Sequence, residues 1–401
     1  MNLNLNFKKL EKNYVFVEVE NKIREYEANN PKAEVIRLGV GDVTKPLCSE
    51  SIKAMHKAVD EMGKFETFKS YGPSEGYEFL RKEISKYYLK FNIKFNISEI
   101  FINDGINTDL WSILDLFSKE NTVLIPDPVY PVYSDVNIID GRKIIYLNSN
   151  KENNFLPLPD KKIKPNIIYM CSPNNPTGTV YNRKELKIWV DYALENDAVI
   201  LFDSAYECFI DDQNTDDLPK SIFEIENSKK CCIEFCSFSK KAGFTGIRCG
   251  YTTIPKELKK DNFNLREIWH RRVSVKSNGV SYISQRGAQS IFTQEGESQT
   301  KFNINYYKEN SKIICDNLKF LNIWHVGGKY SPYIWLKCPK NMKSWEFFDY
   351  LLNNFGIAGI PGSGFGKNGE NFFRFTGFGE REKIIKFCDR TKKVFFEKWS
   401  K

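Results

Sequence analysis

Histidine is scarce in this chain: its 401 residues include three, His56, His270 and His325. These three form no H-x-x-x-H or H-x-x-E spacing, which disfavours both a histidine-rich metal site and a histidine-based catalytic triad. We therefore expect no metal, and we expect any chemistry to depend on other side chains.

The chain also lacks long apolar runs and paired cysteine motifs. Without an apolar stretch of about 18 residues or an apolar leader near Met1, we expect no membrane span and no export signal. The ten cysteines occur in apolar stretches such as KKCCIEFCSF, without CxxC pairs. This usage indicates reduced thiols in a cytoplasmic protein.

Neither sign of charge dominates the composition. Lysine and arginine total 59, aspartate and glutamate total 51, and the net charge is +8. The lysines are scattered among acidic residues, as in NRKELKIWVDYALENDA, which favours a solvated, mildly basic surface over a nucleic-acid footprint. We expect no nucleic-acid partner.

Strand and helix signals alternate through the middle of the chain. NIIYMCS (166–172) stops at the turn formers PNNPTG, Asn182 and Glu185 have capping-box spacing, and a second buried run, AVILF, follows. EIFIND, TVLIPDPVYPVY and CIEFCSFSK repeat this order, with GINTD expected as a tight loop before the helix LWSILDLF. The sequence predicts an α/β fold with a mainly parallel sheet.

The pattern changes near residue 290. One long helix, shorter strands and glycine-rich turns follow, which is typical of a smaller α+β domain. We predict an N-terminal segment (1–47) joining the small domain, a large ligand-binding domain (48–290) and a C-terminal small domain (291–401).

Polar loops end several of the predicted strands, where open α/β sheets bind ligands. In SFSKKAGFTGIRCGY, burial or neighbouring cations would lower the pKa of a lysine and let its amine condense with an aldehyde. Ser237 and Arg248 flank the lysines and suit a phosphate. An aldehyde combined with a phosphate indicates pyridoxal 5′-phosphate (PLP).

Other strand ends carry the remaining groups that PLP needs. Asp203 offers a carboxylate for the pyridine nitrogen, Tyr206 and Asn175 offer donors to the phenolic oxygen, and Tyr130 offers a flat face for stacking. Each residue alone also has an ordinary interpretation as a cap, a turn former or a surface group. Their combination favours a cofactor site.

SPNNPTG, DSAYECF, SFSKKAGFTGIRCGY and FFRFTGFG, in this order, resemble the class I/II aminotransferases of PLP fold type I. Within this family, ETFKSYGPSEGYEFLR and IPGSGFGKNGENFFRF resemble the LL-diaminopimelate aminotransferases. The resemblance implies transfer of an amino group from an amino acid donor to a 2-oxo acid acceptor. In that subfamily, LL-2,6-diaminopimelate and 2-oxoglutarate give tetrahydrodipicolinate and glutamate, in lysine and cell-wall precursor synthesis.

The resemblance also implies roles for individual residues. Lys240, which ends the S-x-S-K pattern, matches the cofactor lysine, and Lys241 is left with a surface position. The other implied roles are phosphate binding (Ser237, Ser239, Arg248 and the backbone of Ile106 and Asn107), contact with the ring nitrogen (Asp203), contact with the phenolic oxygen (Tyr206 and Asn175), stacking (Tyr130), binding of the α-carboxylate (Arg374), closure over the substrate (Tyr14 and Gly41), and reach into the partner subunit's site in a homodimer (Tyr71 and Asn278).

Three positions depart from the diaminopimelate type. YGPSEG has Ser74 where the subfamily has an acidic residue, DGIN has Asn107 where it has a lysine, and Ser277 replaces a phenylalanine. The next residue, Glu75, is one position out of register. The resemblance implies that the acidic residue faces the distal ammonium of the substrate, and an unpaired ammonium would cost about 2 to 3 kcal/mol of discrimination.

Four hypotheses therefore remain open at the level of sequence. The first is a diaminopimelate aminotransferase, and the second is a paralogue of that type acting on another amino acid. The third is a PLP enzyme of another reaction class, and the fourth is a nonenzymatic binding protein.

Overall fold

A computed structural model describes residues 1–10, 14–212 and 216–398. The α-helices in these ranges are α1 (Val15–Asn29), α2 (Ser49–Met62), α3 (Glu78–Leu89), α4 (Ile106–Ser112), α5 (Val132–Asp140), α6 (Arg183–Glu195), α7 (Phe238–Lys241), α8 (Leu265–Lys276), α9 (Tyr282–Ser290), α10 (Gln294–Phe320), α11 (Ser344–Phe355) and α12 (Arg381–Lys398). The strands are β1 (Ile36–Arg37), β2 (Ile100–Asn103), β3 (Val123–Asp127), β4 (Ile144–Asn148), β5 (Ile167–Cys171), β6 (Val199–Asp203), β7 (Cys232–Ser237), β8 (Gly250–Thr253), β9 (Lys259–Lys260), β10 (Phe263–Asn264), β11 (His325–Gly327), β12 (Tyr333–Lys337), β13 (Ile357–Ala358), β14 (Ile360–Pro361) and β15 (Phe372–Thr376).

A seven-stranded sheet forms the centre of the molecule, in the order β2-β8-β7-β6-β5-β3-β4. Strand β8 runs antiparallel to both of its neighbours, and every other adjacent pair is parallel. The predicted α/β class with a mainly parallel sheet is confirmed.

Helices cover both faces of this sheet, which explains why β5 and β6 are buried throughout. Alternate residues of a strand point to opposite faces. Ile168 and Ile200 join one core with Trp189 of α6. Ile167 joins the core on the other face with Trp269 of α8.

The predicted capping box at the start of α6 is confirmed. Asn182 Oδ1 accepts a hydrogen bond from Glu185 N at 3.0 Å, and Glu185 Oε2 accepts one from Asn182 N at 2.9 Å. These two bonds satisfy backbone donors that the first turn of a helix leaves without partners.

The expectation of a tight loop at GINTD is wrong, because α4 already begins at Ile106. Gly105 has a φ of 109°, which turns the chain sharply from β2 into the helix. Buried Asp109 of α4 accepts hydrogen bonds from Asn103 Nδ2 at 2.7 Å and from Thr252 Oγ1 at 2.5 Å. These contacts hold the start of α4 against β2 and β8.

A second sheet, β11-β12-β15-β14, is antiparallel and has its own core. The N-terminal part of the chain joins this core through α1, and β1 pairs in parallel with β13. Residues before α1 instead contact α5, where Asn4 Nδ2 donates to Ile139 O at 2.9 Å. The division into 1–47, 48–290 and 291–401 stays a prediction.

All ten cysteines lie within the described ranges as free thiols, and all except Cys208 are buried. No helix in those ranges is both long and apolar enough to cross a membrane. No group of three or more His, Cys, Asp or Glu side chains there is arranged to hold a metal ion.

Candidate active site

A cavity of about 440 Å³ lies where β5, β6 and β7 end, since Cys171, Asp203 and Ser237 all line it. Tyr333 of β12 and Arg374 of β15 line it from the second sheet. Thirteen of the sequence-predicted site residues line this cavity: Tyr14, Gly41, Ile106, Asn107, Tyr130, Asn175, Asp203, Tyr206, Ser237, Ser239, Lys240, Arg248 and Arg374.

Lys240 lies in α7, the short helix that follows β7, and its amine points into the cavity. Its Nζ donates a hydrogen bond to Gly41 O. Burial lowers the pKa of Lys240 from 10.5 to about 8, with Arg374 and Arg248 adding to the shift and Asp42 opposing it. At about pH 8, roughly half of this amine is therefore neutral and nucleophilic.

Lys241 was expected at the surface, and that expectation is wrong. Its Nζ forms a 3.0 Å salt bridge with Glu207 Oε1 and lies 3.6 Å from the ring centroid of Tyr87. Tyr87 Oη also donates to Glu207, at 2.9 Å. Successive helical residues point in different directions, so the doubled lysine splits between the cavity and this part-buried ion pair.

Two serine hydroxyls and a guanidinium meet at one end of the cavity. Ser237 Oγ accepts from Ser239 N at 3.1 Å, and Arg248 Nη1 donates to Ser239 Oγ at 3.3 Å. Gly105 allows this approach, because a Cβ there would lie 2.0 Å from Arg248 Nη2. A cation flanked by hydroxyl groups is suited to an anion such as phosphate.

Asp203 is the buried carboxylate of the cavity. Its Oδ2 accepts from Tyr133 Oη at 2.6 Å and its Oδ1 from Ala205 N at 2.9 Å. Burial raises the pKa of Asp203 to about 6, while both hydrogen bonds oppose the shift. The group is therefore mainly ionised at neutral pH and is suited to pair with a protonated ring nitrogen.

Arg374 is fully buried on β15. Its Nη1 donates to Asn175 Oδ1 at 2.6 Å and its Nη2 to Gly39 O at 2.7 Å. Its Cζ lies 4.4 Å from the ring centroid of Tyr333 and 4.8 Å from that of Phe365. No carboxylate of the described residues pairs with this guanidinium, so it can bind an anionic ligand.

Comparison with known proteins decides the family. Residues 33–390 match the family model "Aminotransferase class I and II". The chain is 36% identical to the L,L-diaminopimelate aminotransferase of Chlamydomonas reinhardtii, with 98% of this chain and 99% of that chain covered and a TM-score of 0.92. The chain belongs to the class I and II aminotransferases.

More distant aminotransferases share the fold. An aromatic aminotransferase from Pyrococcus horikoshii is 24% identical, with 94% of this chain and 99% of that chain covered and a TM-score of 0.81. An aspartate aminotransferase from Thermus thermophilus is 18% identical, with 98% and 100% covered and a TM-score of 0.85. At these identities the likeness concerns the fold alone.

As a class I and II aminotransferase, the enzyme depends on PLP, and the cavity contains the groups that this cofactor needs. A lysine with a lowered pKa, an ionised aspartate and a phosphate-type site of Ser237, Ser239 and Arg248 all line one space of about 440 Å³. Membership of the aminotransferase family contradicts the hypotheses of a nonenzymatic binding protein and of a PLP enzyme of another reaction class.

The predicted inter-subunit residues lie elsewhere on this aminotransferase. Tyr71 is 85% exposed, Asn278 is also exposed, and neither lines the cavity. Their segments are neighbours, because a Cβ on Gly279 would lie 3.0 Å from Pro73 O. The predicted reach into a partner's site stays a prediction.

The aminotransferase site contains tyrosines that the sequence analysis missed. Tyr133 contacts Asp203, and Tyr333 Oη lies 2.8 Å from Tyr206 Oη. Tyr133 stands three residues after Tyr130 in DPVYPVY, at a spacing that places both side chains on one side of a helical turn. Tyr333 had no comparable local signal, since its partners lie far away in the chain.

Proposed function

We propose that this aminotransferase uses LL-2,6-diaminopimelate as amino donor and 2-oxoglutarate as acceptor, giving tetrahydrodipicolinate and glutamate. The supporting observation is the 36% identity to a diaminopimelate aminotransferase over 98% of this chain. The aromatic and aspartate aminotransferases cited above share the fold at lower identity. We assign the reaction to lysine and cell-wall precursor synthesis in the cytoplasm.

Arg374 binds the substrate's α-carboxylate in the proposed reaction. Its guanidinium has a planar array of donors that matches a carboxylate in a two-point geometry. Asn175 and Gly39 orient it from its edge. Tyr14 and Gly41, both at the cavity wall, close over the substrate in this proposal.

Bound PLP supplies an electron sink for the negative charge that develops at the substrate's α-carbon. Asp203 would support this by holding a proton on the ring nitrogen. Asn175 and Tyr206 would donate to the phenolic oxygen, and Tyr130 would stack on the ring. The phosphate would be held by Ser237, Ser239, Arg248 and the backbone of Ile106 and Asn107.

Lys240 is the general base of the proposed reaction. It would take the proton from the substrate's α-carbon and pass it on to the cofactor, for which an amine with a pKa of about 8 is suited near neutral pH. The same residues run the second half-reaction in reverse, with the 2-oxo acid as substrate.

We also propose a homodimer in which Tyr71 and Asn278 contribute to the partner's site. The segment after α2 exposes Phe65 by 96%, Phe68 by 57% and Tyr71 by 85%. Three large aromatic side chains so exposed within seven residues favour a protein interface.

A second candidate function is transamination of a different amino acid. Glu75 does not replace the negative charge absent at Ser74, because its Oε1 accepts from Arg81 Nη2 at 3.4 Å and its Oε2 lies 3.7 Å from His270 Nε2. Ser74 Oγ contacts Ser274 Oγ at 3.2 Å and donates to Glu75 Oε2 at 3.4 Å, so position 74 itself offers a neutral hydroxyl in place of a carboxylate. This arrangement favours a donor without a distal ammonium.

A panel of amino acids added to the purified holoenzyme separates the two candidates. We expect LL-diaminopimelate to convert the bound cofactor to its amino form, observed by absorbance, and 2-oxoglutarate to reverse the change. Failure of LL-diaminopimelate alongside success of a monocarboxylic donor contradicts the first candidate and supports the second.

The variant Ser74→Glu, with Ser274→Glu as a matched control, tests whether the missing negative charge at position 74 sets the preference for the amino donor. If the enzyme is a paralogue with another donor, Ser74→Glu should raise kcat/KM for LL-diaminopimelate by about 10- to 100-fold, whereas Ser274→Glu should not. If LL-diaminopimelate is already the preferred donor, neither variant should improve it.

A further inference from the structure

Tyr333 is a buried residue at the start of β12 that contacts three parts of the site. Its Oη lies 2.8 Å from Tyr206 Oη, and its ring centroid lies 4.4 Å from Arg374 Cζ. Its hydroxyl also packs against Gly41, where an added Cβ would lie 2.6 Å from Tyr333 Oη. Tyr333 therefore stands between the groups proposed for the cofactor and those proposed for the substrate.

The main chain of Tyr333 is held firmly in place. Its N–H donates to Ser331 Oγ at 3.1 Å, and its carbonyl accepts from Gly328 N at 2.8 Å. Gly178, with a φ of 69°, packs so closely that a Cβ there would lie 2.3 Å from Tyr333 O. These contacts fix the point from which the side chain starts.

We propose that Tyr333 is a positioning residue whose hydroxyl orients the proton of Tyr206 and whose ring holds the guanidinium of Arg374. This inference rests on the proposed roles of Tyr206 at the cofactor's phenolic oxygen and of Arg374 at the substrate's carboxylate. It adds a physical link between the two groups.

The hydroxyl part follows from counting protons. A tyrosine hydroxyl has one proton. If Tyr206 donates its proton to the phenolic oxygen, then Tyr333 must be the donor in the 2.8 Å hydrogen bond between the two hydroxyls. Hydrogen bonds in such a chain strengthen one another. Donation from Tyr333 thus favours the anionic form of the phenolic oxygen and lowers the pH at which the bound cofactor loses its proton.

The ring part follows from the burial of Arg374. Asn175 and Gly39 accept hydrogen bonds at the edge of the guanidinium, whereas Tyr333 covers a face of it. An aromatic face stabilises a desolvated cation and limits rotation of its plane. The donors of Arg374 are thereby aimed before a carboxylate arrives.

The hydroxyl is tested by pH titration of the absorbance of the bound cofactor. Tyr333→Phe keeps the ring and should raise the midpoint by several tenths of a pH unit, and Tyr206→Phe should raise it further. The double variant should shift no more than Tyr206→Phe alone, because both changes act through one hydrogen bond. Additive shifts, or no shift in Tyr333→Phe when Tyr206→Phe does shift, would overturn the inference.

The ring is tested by calorimetric binding of 2-oxoglutarate to the pyridoxal form of the holoenzyme, which the acceptor cannot convert. Tyr333→Phe should change Kd by less than about twofold, whereas Tyr333→Leu should weaken binding about 3- to 30-fold. Equal Kd values for Tyr333→Leu and wild type would overturn this part. The comparison uses protein with full cofactor content and an unchanged Tm, and the Tyr333→Phe titration does not depend on the leucine variant folding.

Two further variants separate failure of this inference from failure of the proposed function. If Tyr206→Phe leaves the midpoint unchanged, the role proposed for Tyr206 is wrong. If Arg374→Lys leaves 2-oxoglutarate binding unchanged, the role proposed for Arg374 is wrong. Either result contradicts the proposed function. If Tyr206→Phe and Arg374→Lys do have their effects and the Tyr333 variants have none, only the role of Tyr333 is contradicted.

Discussion

The doubled lysine shows how much one residue position decides. Lys240 and Lys241 have the same side chain, but one amine enters the cavity and the other pairs with Glu207. Desolvation without a salt bridge lowers the pKa of Lys240.

Replacing Lys240 by alanine should therefore impair catalysis, whereas replacing Lys241 should impair stability. We expect Lys240→Ala to lower kcat at least about a thousandfold, because it removes the residue proposed as both cofactor lysine and general base. Lys241→Ala should keep kcat within about tenfold but lower Tm, since it leaves the buried carboxylate of Glu207 without its cation. Steady-state kinetics and thermal unfolding of both variants check this; a dead Lys241→Ala enzyme with full cofactor content would contradict it.

The pKa of Lys240 predicts how the apoprotein captures PLP. The neutral amine is the reactive form, so the rate of PLP binding should rise with pH to a midpoint near 8 rather than 10.5. Asp42 raises this pKa, so Asp42→Asn should move the midpoint downward. Stopped-flow absorbance measures the rate, with the exposed Asp104→Asn as control. A midpoint that moves upward in Asp42→Asn would contradict the assignment.

At the scale of an element, strand β7 carries both a residue of the cavity and a buried hydrogen-bond network. Its last residue, Ser237, reaches the cavity, while Glu234 in its middle is fully buried. Glu234 accepts from Tyr88 Oη at 2.6 Å and from Ser221 Oγ, Ser204 Oγ and Ile222 N at 3.0 Å each. This network holds Ser204, the residue that follows Asp203, in place.

Glu234 should make stability depend on pH. Burial raises its pKa from 4.5 to about 7, so the folded state keeps a proton that the unfolded state has already lost between these values. The free energy of unfolding should fall as pH rises through that window, by up to about 3 kcal/mol from this residue. The difference between wild type and Glu234→Gln in urea unfolding at pH 5 and pH 8 isolates the effect. The exposed Glu152→Gln serves as control, and identical pH slopes would contradict the prediction.

The whole molecule raises the question of shared sites. If Tyr71 acts in the partner's cavity, the homodimers of Lys240→Ala and of Tyr71→Ala are both impaired. A mixed dimer then regains one intact site, with Lys240 from one chain and Tyr71 from the other. Co-expression of the two variants should restore about a quarter of the wild-type activity, assuming random pairing of equal amounts.

The matched control for this experiment is a mixture of Lys240→Ala with Arg374→Ala. Both of these residues line the cavity of their own chain, so no mixed dimer has an intact site. Activity should stay absent. Recovery in the control, or none in the mixture with Tyr71→Ala, would count against shared sites.

Local sequence patterns predicted the fold class and the cofactor, and the family resemblance added several of the thirteen predicted residues that line the cavity. Hydrophobic periodicity, capping signals and polar strand ends are local patterns, and parallel strands bring their carboxyl ends together whatever the details of packing. The start of α4 was missed because the left-handed φ of Gly105 is a backbone choice that the following residues do not announce.

Tertiary packing sets the partners of these residues. The pairing of Lys241 with Glu207, of Asp203 with Tyr133, and of Tyr333 with Tyr206 and Arg374 joins segments that are between 34 and 127 positions apart. Such contacts depend on how two sheets and their helices pack, which no local pattern encodes. For the same reason the burial that lowers the pKa of Lys240 emerges only when the chain is folded.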